Sequence, residues 1–153
     1  MEALIEYREH LIRRLEQSAR EFCTACKNRS PQDRTDGDWT VHQIAAHVRD
    51  VDRAVYGVRV HRTLQEENPL FESFDADAWM AEHYDAAESL QTILQEIQTG
   101  MDGLCTTLKD LPPQAWSRVS RHATMGEDLT LQSWVERSLA HIEEHLETLK
   151  KSA

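Results

Sequence analysis

The chain has 153 residues, with 27 acidic against 17 basic side chains and a net charge of −10. That length suits one domain with its own core. The acidic balance argues against a nucleic-acid backbone or an anionic membrane surface as partner, since both are bound through concentrated Lys and Arg.

No apolar run approaches the roughly 20 residues of a membrane span. The opening MEALIEYREH is charged where a signal peptide would be apolar, so a cytoplasmic location is the expectation. In chain order, the turn formers leave four long segments of helical period and no run that alternates as a strand does. The first is expected from about Glu2 to Lys27, with Leu4, Leu11, Leu15, Phe22 and Cys26 on one stripe. The loop NRSPQDRTDGD follows. The second segment opens at TVHQ, where Thr40 and Gln43 spell a capping box. Behind it Val41, Ile44, Val48, Val51, Val55 and Val58 recur at steps of three and four.

A long crossover, QEENPLFESFDAD, carries Pro69 and two aromatics read as exposed, Phe71 and Phe74. The third segment follows Asp77, with a short turn around Trp79 and then a long helix. Its seam is Ala87, Leu90, Leu94, Ile97, Met101, Leu104, Leu108 and Leu111, the spacing antiparallel bundles use. LPPQAW ends it, because Pro112 and Pro113 cannot continue a helix. The fourth runs from about Thr130 to Lys150, with Leu131, Val135, Leu139, Ile142, Leu146 and Leu149 on its stripe. The expectation is therefore an all-α, four-helix-bundle domain over residues 1–153, with the crossover between helices two and three.

Three cysteines, an odd number, make no disulfide framework. Cys23 and Cys26 form a CxxC, but a thioredoxin-type site needs a βαβ context and a zinc site a second pair. Both are read as packing thiols, as is Cys105.

Eight histidines are many for this length, and position separates them. His141 and His145, in HIEEH, fall within about 40° of each other on the last helix, beside its apolar stripe. Trp134 and Ser138 share that flank, while Glu143 and Glu144 point away. His47 lies beside the valine stripe of the second helix, about 65° from its centre, whereas His42 projects away from it. An i, i+4 histidine pair suits a metal because both rings meet on one face, and His47 is the natural third ligand. Three neutral imidazoles suit Zn²⁺, Ni²⁺ or Fe²⁺ and leave positions open for water or substrate. The competing inverted zinc-protease pattern H-x-x-E-H is set aside, because its third, acidic ligand lies far downstream and eight residues follow His145.

These pieces, in order, resemble the DinB/YfiT-like superfamily over about three-quarters of the chain, from GDWTVHQIAAHVRDVD to LQSWVERSLAHIEEHLETL. The matching features are Trp39–Thr40 opening the second helix, His47 within it, AWSRVSRHATMGEDLTLQSW before the last helix, and the closing His141 and His145. The resemblance implies a four-helix bundle, a divalent metal on His47, His141 and His145, and a homodimer. Zn²⁺ or Ni²⁺ is expected ahead of Fe²⁺ or Mn²⁺. It also implies a small-molecule substrate and low-molecular-weight thiol chemistry, so thiol transfer is expected ahead of hydrolysis, which needs only a water in the same position. Asp50, on the polar side of the second helix, and His122, in a loop at the pocket mouth, are the catalytic candidates. Trp79 and Trp134 are suitable pocket walls, and His83 lies near Trp79 and Tyr84. The alternative is a non-catalytic, metal-stabilised dimeric bundle acting as a binding or stress-response protein. Its metal would be closed off by a fourth protein ligand.

Overall fold

In a computed structural model, which describes residues 1–35 and 37–152, four long helical segments pack as a bundle and a small sheet closes one end. Helix α1 spans Glu2–Lys27 and buries Leu11, Leu15, Phe22 and Cys26 against α5 (Leu90–Lys109) and α6 (Leu131–Lys151). Leu4, placed on that stripe by spacing, is exposed because α1 outruns its partners at this end. Each fully buried Leu, Ile or Phe contributes roughly 1.5–3 kcal/mol. No helix is long and apolar enough to cross a membrane among the described residues.

Helix α2, Val41–Val51, starts with the expected capping box. Thr40 Oγ1 accepts from the Gln43 N–H at 3.2 Å, and Gln43 Oε1 accepts from the Thr40 N–H at 2.8 Å. Two otherwise orphaned donors are satisfied together, which sets where the helix begins and so which face His47 occupies. Helix α2 then widens into a π turn over Asp52–Tyr56 before α3, Gly57–Gln65, in which the Gly57 N–H reaches the Asp52 carbonyl five residues back. The extra residue shifts the phase of everything downstream. Val58, expected on the stripe, is exposed, and Arg59 and Val60 are buried instead.

Gly57 is required by this turn, since a Cβ there would lie 2.7 Å from the Asp52 carbonyl oxygen. Overpacking of this kind costs about 1–3 kcal/mol. Gly57→Ala is therefore expected to lower Tm by about 5 °C. An unchanged Tm by calorimetry would mean that the π turn can revert to ordinary helix without loss.

The crossover is more structured than expected. Strand β1, Leu70–Phe71, runs parallel to β2, Val119–His122, which pairs antiparallel with β3, Gly126–Thr130. The expectation of no strands is corrected here. Segments of two, four and five residues are too short to show alternation, and the partner of β1 lies about fifty residues away. Phe71 is likewise not exposed: it packs edge-on against Trp134, with ring centroids 5.7 Å apart. Helix α4, Ala76–His83, is capped by Asp75 and tucks Met80 inward. Helix α5 begins only at Leu90, capped by Ser89, so Ala87 falls outside the seam, and Leu111 follows its end. Helix α6 starts at the expected place and is capped by Thr130.

All three cysteines are free and buried, and burial pushes the Cys23 thiol up to about 11 and the Cys26 and Cys105 thiols up to about 12. At neutral pH these thiols are protonated and packed in the core.

Candidate metal centre

Helix α2 offers His47 from one side of the bundle and α6 offers His141 and His145 from the other. Their ligand atoms lie within 4.8 Å of one another. The His47 and His141 Nε2 atoms are 3.0 Å apart, and those of His141 and His145 are 3.2 Å apart. Nitrogens at about 2.0–2.1 Å from a tetrahedral zinc would be about 3.3 Å from each other, so the cluster is close to the size an ion needs.

Three facing Nε2 atoms are a poor arrangement without a cation. Hydrogen bonding can engage them only if protons and lone pairs alternate, and the buried His141 Nδ1 has no partner among the described residues. Burial lowers the His47 pKa to about 4, with the neighbouring His145 adding to the effect and Asp50 opposing it. Burial and the other two imidazoles bring His141 down to about 3, and burial also lowers His145. All three are therefore neutral at pH 7, with lone pairs available. The donor set fits a borderline-soft divalent ion.

His47 and His141 line a cleft of about 320 Å³, walled by Val51, Val55, Tyr56, Arg59, Phe74, His122, Thr124 and Met125, with His145 behind them. A larger cavity of about 620 Å³ lies between α2–α3 and α5, lined among others by Arg49, Asp52, Gly57, Gly100 and Met101. The chemistry of three convergent imidazoles marks the smaller one as the candidate site, since size alone supplies no reactive group.

The other sequence candidates are placed as follows. Asp50 is buried rather than an exposed helix carboxylate: Trp79 Nε1 donates to its Oδ2 at 3.1 Å and Arg49 Nε to its Oδ1 at 3.0 Å. His122 is not in a loop but ends β2, buried, and lines the cleft. His42 does not project to solvent. Its ring is buried between the Tyr84 hydroxyl at 2.5 Å and the Glu88 carbonyl at 2.7 Å, contacts supplied by the crossover. His83 stacks on Trp79 at 3.8 Å and stays exposed. Trp134 is no pocket wall: it is fully buried, and its Nε1 donates to Ser120 Oγ at 2.7 Å.

The aromatics beside the histidines are instead Trp39, tilted against His47 at 4.9 Å, and Tyr56, tilted against His141 at 5.8 Å. Tyr56 and Arg59 escaped the sequence reading because the π turn moves them onto the site face. A Gly inside a helical pattern was their only local signal.

A model of the DinB superfamily matches residues 9–149. The chain belongs to the DinB superfamily. A curated relative is YfiT of Bacillus subtilis (strain 168), whose name proposes metal-dependent hydrolysis for it. It is 30% identical over 115 residues, 72% of this chain and 62% of YfiT, so the match spans less than two thirds of that protein. A solved structure of YfiT, described as a four-helix bundle of unusual topology, matches with a TM-score of 0.84. At 24% identity it covers 95% of this chain and 85% of that one. The bundle expected from periodicity is thus the fold of this family member, with the small sheet added.

Proposed function

We propose that this protein is a metal-dependent enzyme acting on a small molecule through His47, His141 and His145. The observation that carries the reading is three neutral imidazoles converging beside an open cleft, with no fourth His, Cys, Asp or Glu grouped with them among the described residues. A structural site would be closed by a fourth ligand. A divalent ion on these nitrogens would supply Lewis-acid polarisation and would lower the pKa of an attached water or thiol.

The chain's own residues do the rest. His47 and the α6 pair hold the ion between two helices, Trp39 and Tyr56 pack against the rings, and Val51, Val55, Phe74 and Met125 give the cleft an apolar wall. Asp50, bonded to Trp79 and Arg49, fits a role in positioning α2 and α4 better than one as a base. Hydrolysis takes the lead over thiol transfer because of the curated relative's name; the same site accommodates either nucleophile.

The test is a panel of esters and amides, and of small thiols with a generic electrophile, run on metal-loaded and chelated protein. Ester or amide turnover that needs both metal and His145 is expected. Metal-dependent thiol consumption alone would transfer the assignment to an S-transferase, and silence across the panel would leave the non-catalytic binding protein. We also propose a homodimer, formed by helix faces outside the metal cleft, since closed two-fold dimers are the commonest assembly. Sedimentation at a mass near that of one 17.7 kDa chain, independent of concentration, would refute it.

A further inference from the structure

Arg59 on α3 is only 8% exposed, yet no carboxylate pairs with it among the described residues. Its guanidinium lies over Trp134, 4.7 Å from the ring centroid, and Nη2 donates to the Glu72 carbonyl at 3.2 Å. The same Nη2 sits 3.4 Å from His122 Nε2.

That contact cannot be an ordinary hydrogen bond. His122 Nδ1 faces the backbone N–H groups of Thr124 and Met125, both at 3.2 Å, and the Thr124 hydroxyl at 3.3 Å. Backbone N–H groups only donate, so Nδ1 carries the lone pair and the proton of the neutral ring is on Nε2. Burial and then the neighbouring Arg59 lower the His122 pKa, which keeps the ring neutral. Two donors therefore face each other in the cleft with no acceptor between them.

The surroundings point the same way. In a chain of net charge −10, the lining of this cleft contains no Asp or Glu among the described residues. The exposed Arg137 adds positive potential at Arg59 and His122. Glu72, the acidic group that acts on His122, contributes its carbonyl to Arg59 while its residue is exposed. A buried guanidinium without a counter-charge is costly to maintain, and its planar fork matches a carboxylate.

We infer that Arg59 and the His122 Nε2–H form a seat for the carboxylate of a small organic anion, which fixes the substrate with its reacting end toward the three histidines. The 320 Å³ cleft is at the small end of ligand pockets, in keeping with a compact anion. The orientation rests on the metal-site reading; the seat itself does not.

The experiment is an NMR titration of isotope-labelled protein, following the Arg59 Nε–H and the His122 ring, with acetate, succinate, benzoate, inorganic phosphate and neutral acetamide. The free protein is expected to show His122 as the Nε2–H tautomer. Carboxylates should give saturable shifts at both residues and acetamide none. Arg59→Gln should weaken carboxylate binding at least tenfold, Arg59→Lys should weaken it less, and Arg53→Gln, at a site outside this cleft, should leave it unchanged. His145→Ala should still bind carboxylates, so failure of the metal reading would be seen separately. An Nδ1–H tautomer in the free protein, equal shifts with acetamide, or undiminished binding by Arg59→Gln would overturn the seat. Phosphate binding more tightly than every carboxylate would overturn the class of ligand.

Discussion

The parent protein is expected to carry about one divalent ion per chain, and His145→Ala and His47→Ala are each expected to purify with almost none. Each removes one of only three nitrogens converging on the site, and no neighbouring His, Cys, Asp or Glu is grouped there to replace it among the described residues. Losing a mere hydrogen-bond partner of a ligand already costs about 10–100-fold in affinity, so losing the ligand should exceed that. His141→Ala should be as severe, because its Nε2 is the one close to both others. Elemental analysis is the measurement, with Zn²⁺ or Ni²⁺ expected after recombinant expression by affinity and availability. The matched control is the Cys23→Ser, Cys26→Ser double variant, which should keep its metal since both thiols are buried in the α1 face of the core. Full metal content in the histidine variants, or its loss in the cysteine variant, would disprove the assignment.

The second large effect concerns Asp52, at the start of the π turn. Neither carboxyl oxygen has a hydrogen-bond partner among the described residues, and both are shut off from solvent although the residue as a whole is only half-buried. Burial raises its pKa from 3.8 to about 8. The folded protein thus keeps this proton up to about pH 8, while the unfolded chain gives it up near pH 4. Between those values folding takes up a proton, so this group lowers stability as pH rises, levelling off above pH 8. Asp52→Asn removes the titration with little change of shape. Its Tm should exceed that of the parent by a margin that grows from pH 5 to pH 8, reaching on the order of 10 °C. A lower Tm than the parent at pH 8, or the same margin at both pH values, would show that the ionised carboxylate is not what costs stability there.

Local patterns carried a large part of this molecule. The Thr40–Gln43 capping box, the Pro112–Pro113 stop beyond α5 and the 3.6-residue stripes of α1 and α6 are relations within a few residues, so local physics decides them. The i, i+4 spacing of His141 and His145 belongs to the same class, and one helical projection was enough to put His47 beside the core. Other placements failed where a partner distant in sequence decided burial. His42 and Asp50 sit on the polar side of α2 by projection, yet Tyr84, Glu88 and Trp79 from the crossover and α4 cover and hydrogen-bond them. Phe71 and His122 look like loop residues until β1 and β2 pair.

What the sequence by itself determined is the four long helical segments, the Thr40 cap and the three histidines, since these follow from periodicity and from a side chain that reaches its own backbone. The tertiary structure alone decided the face presented by each residue beyond Asp52, because one π turn rotates the rest of that helix and brings Tyr56 and Arg59 into the cleft. It also decided which polar groups lost water without gaining a partner, as Asp52 did, or were left donor against donor, as Arg59 and His122 were. Spacing along a chain records periodicity. Desolvation and hydrogen-bond conflict arise only when separate segments close over the same atoms.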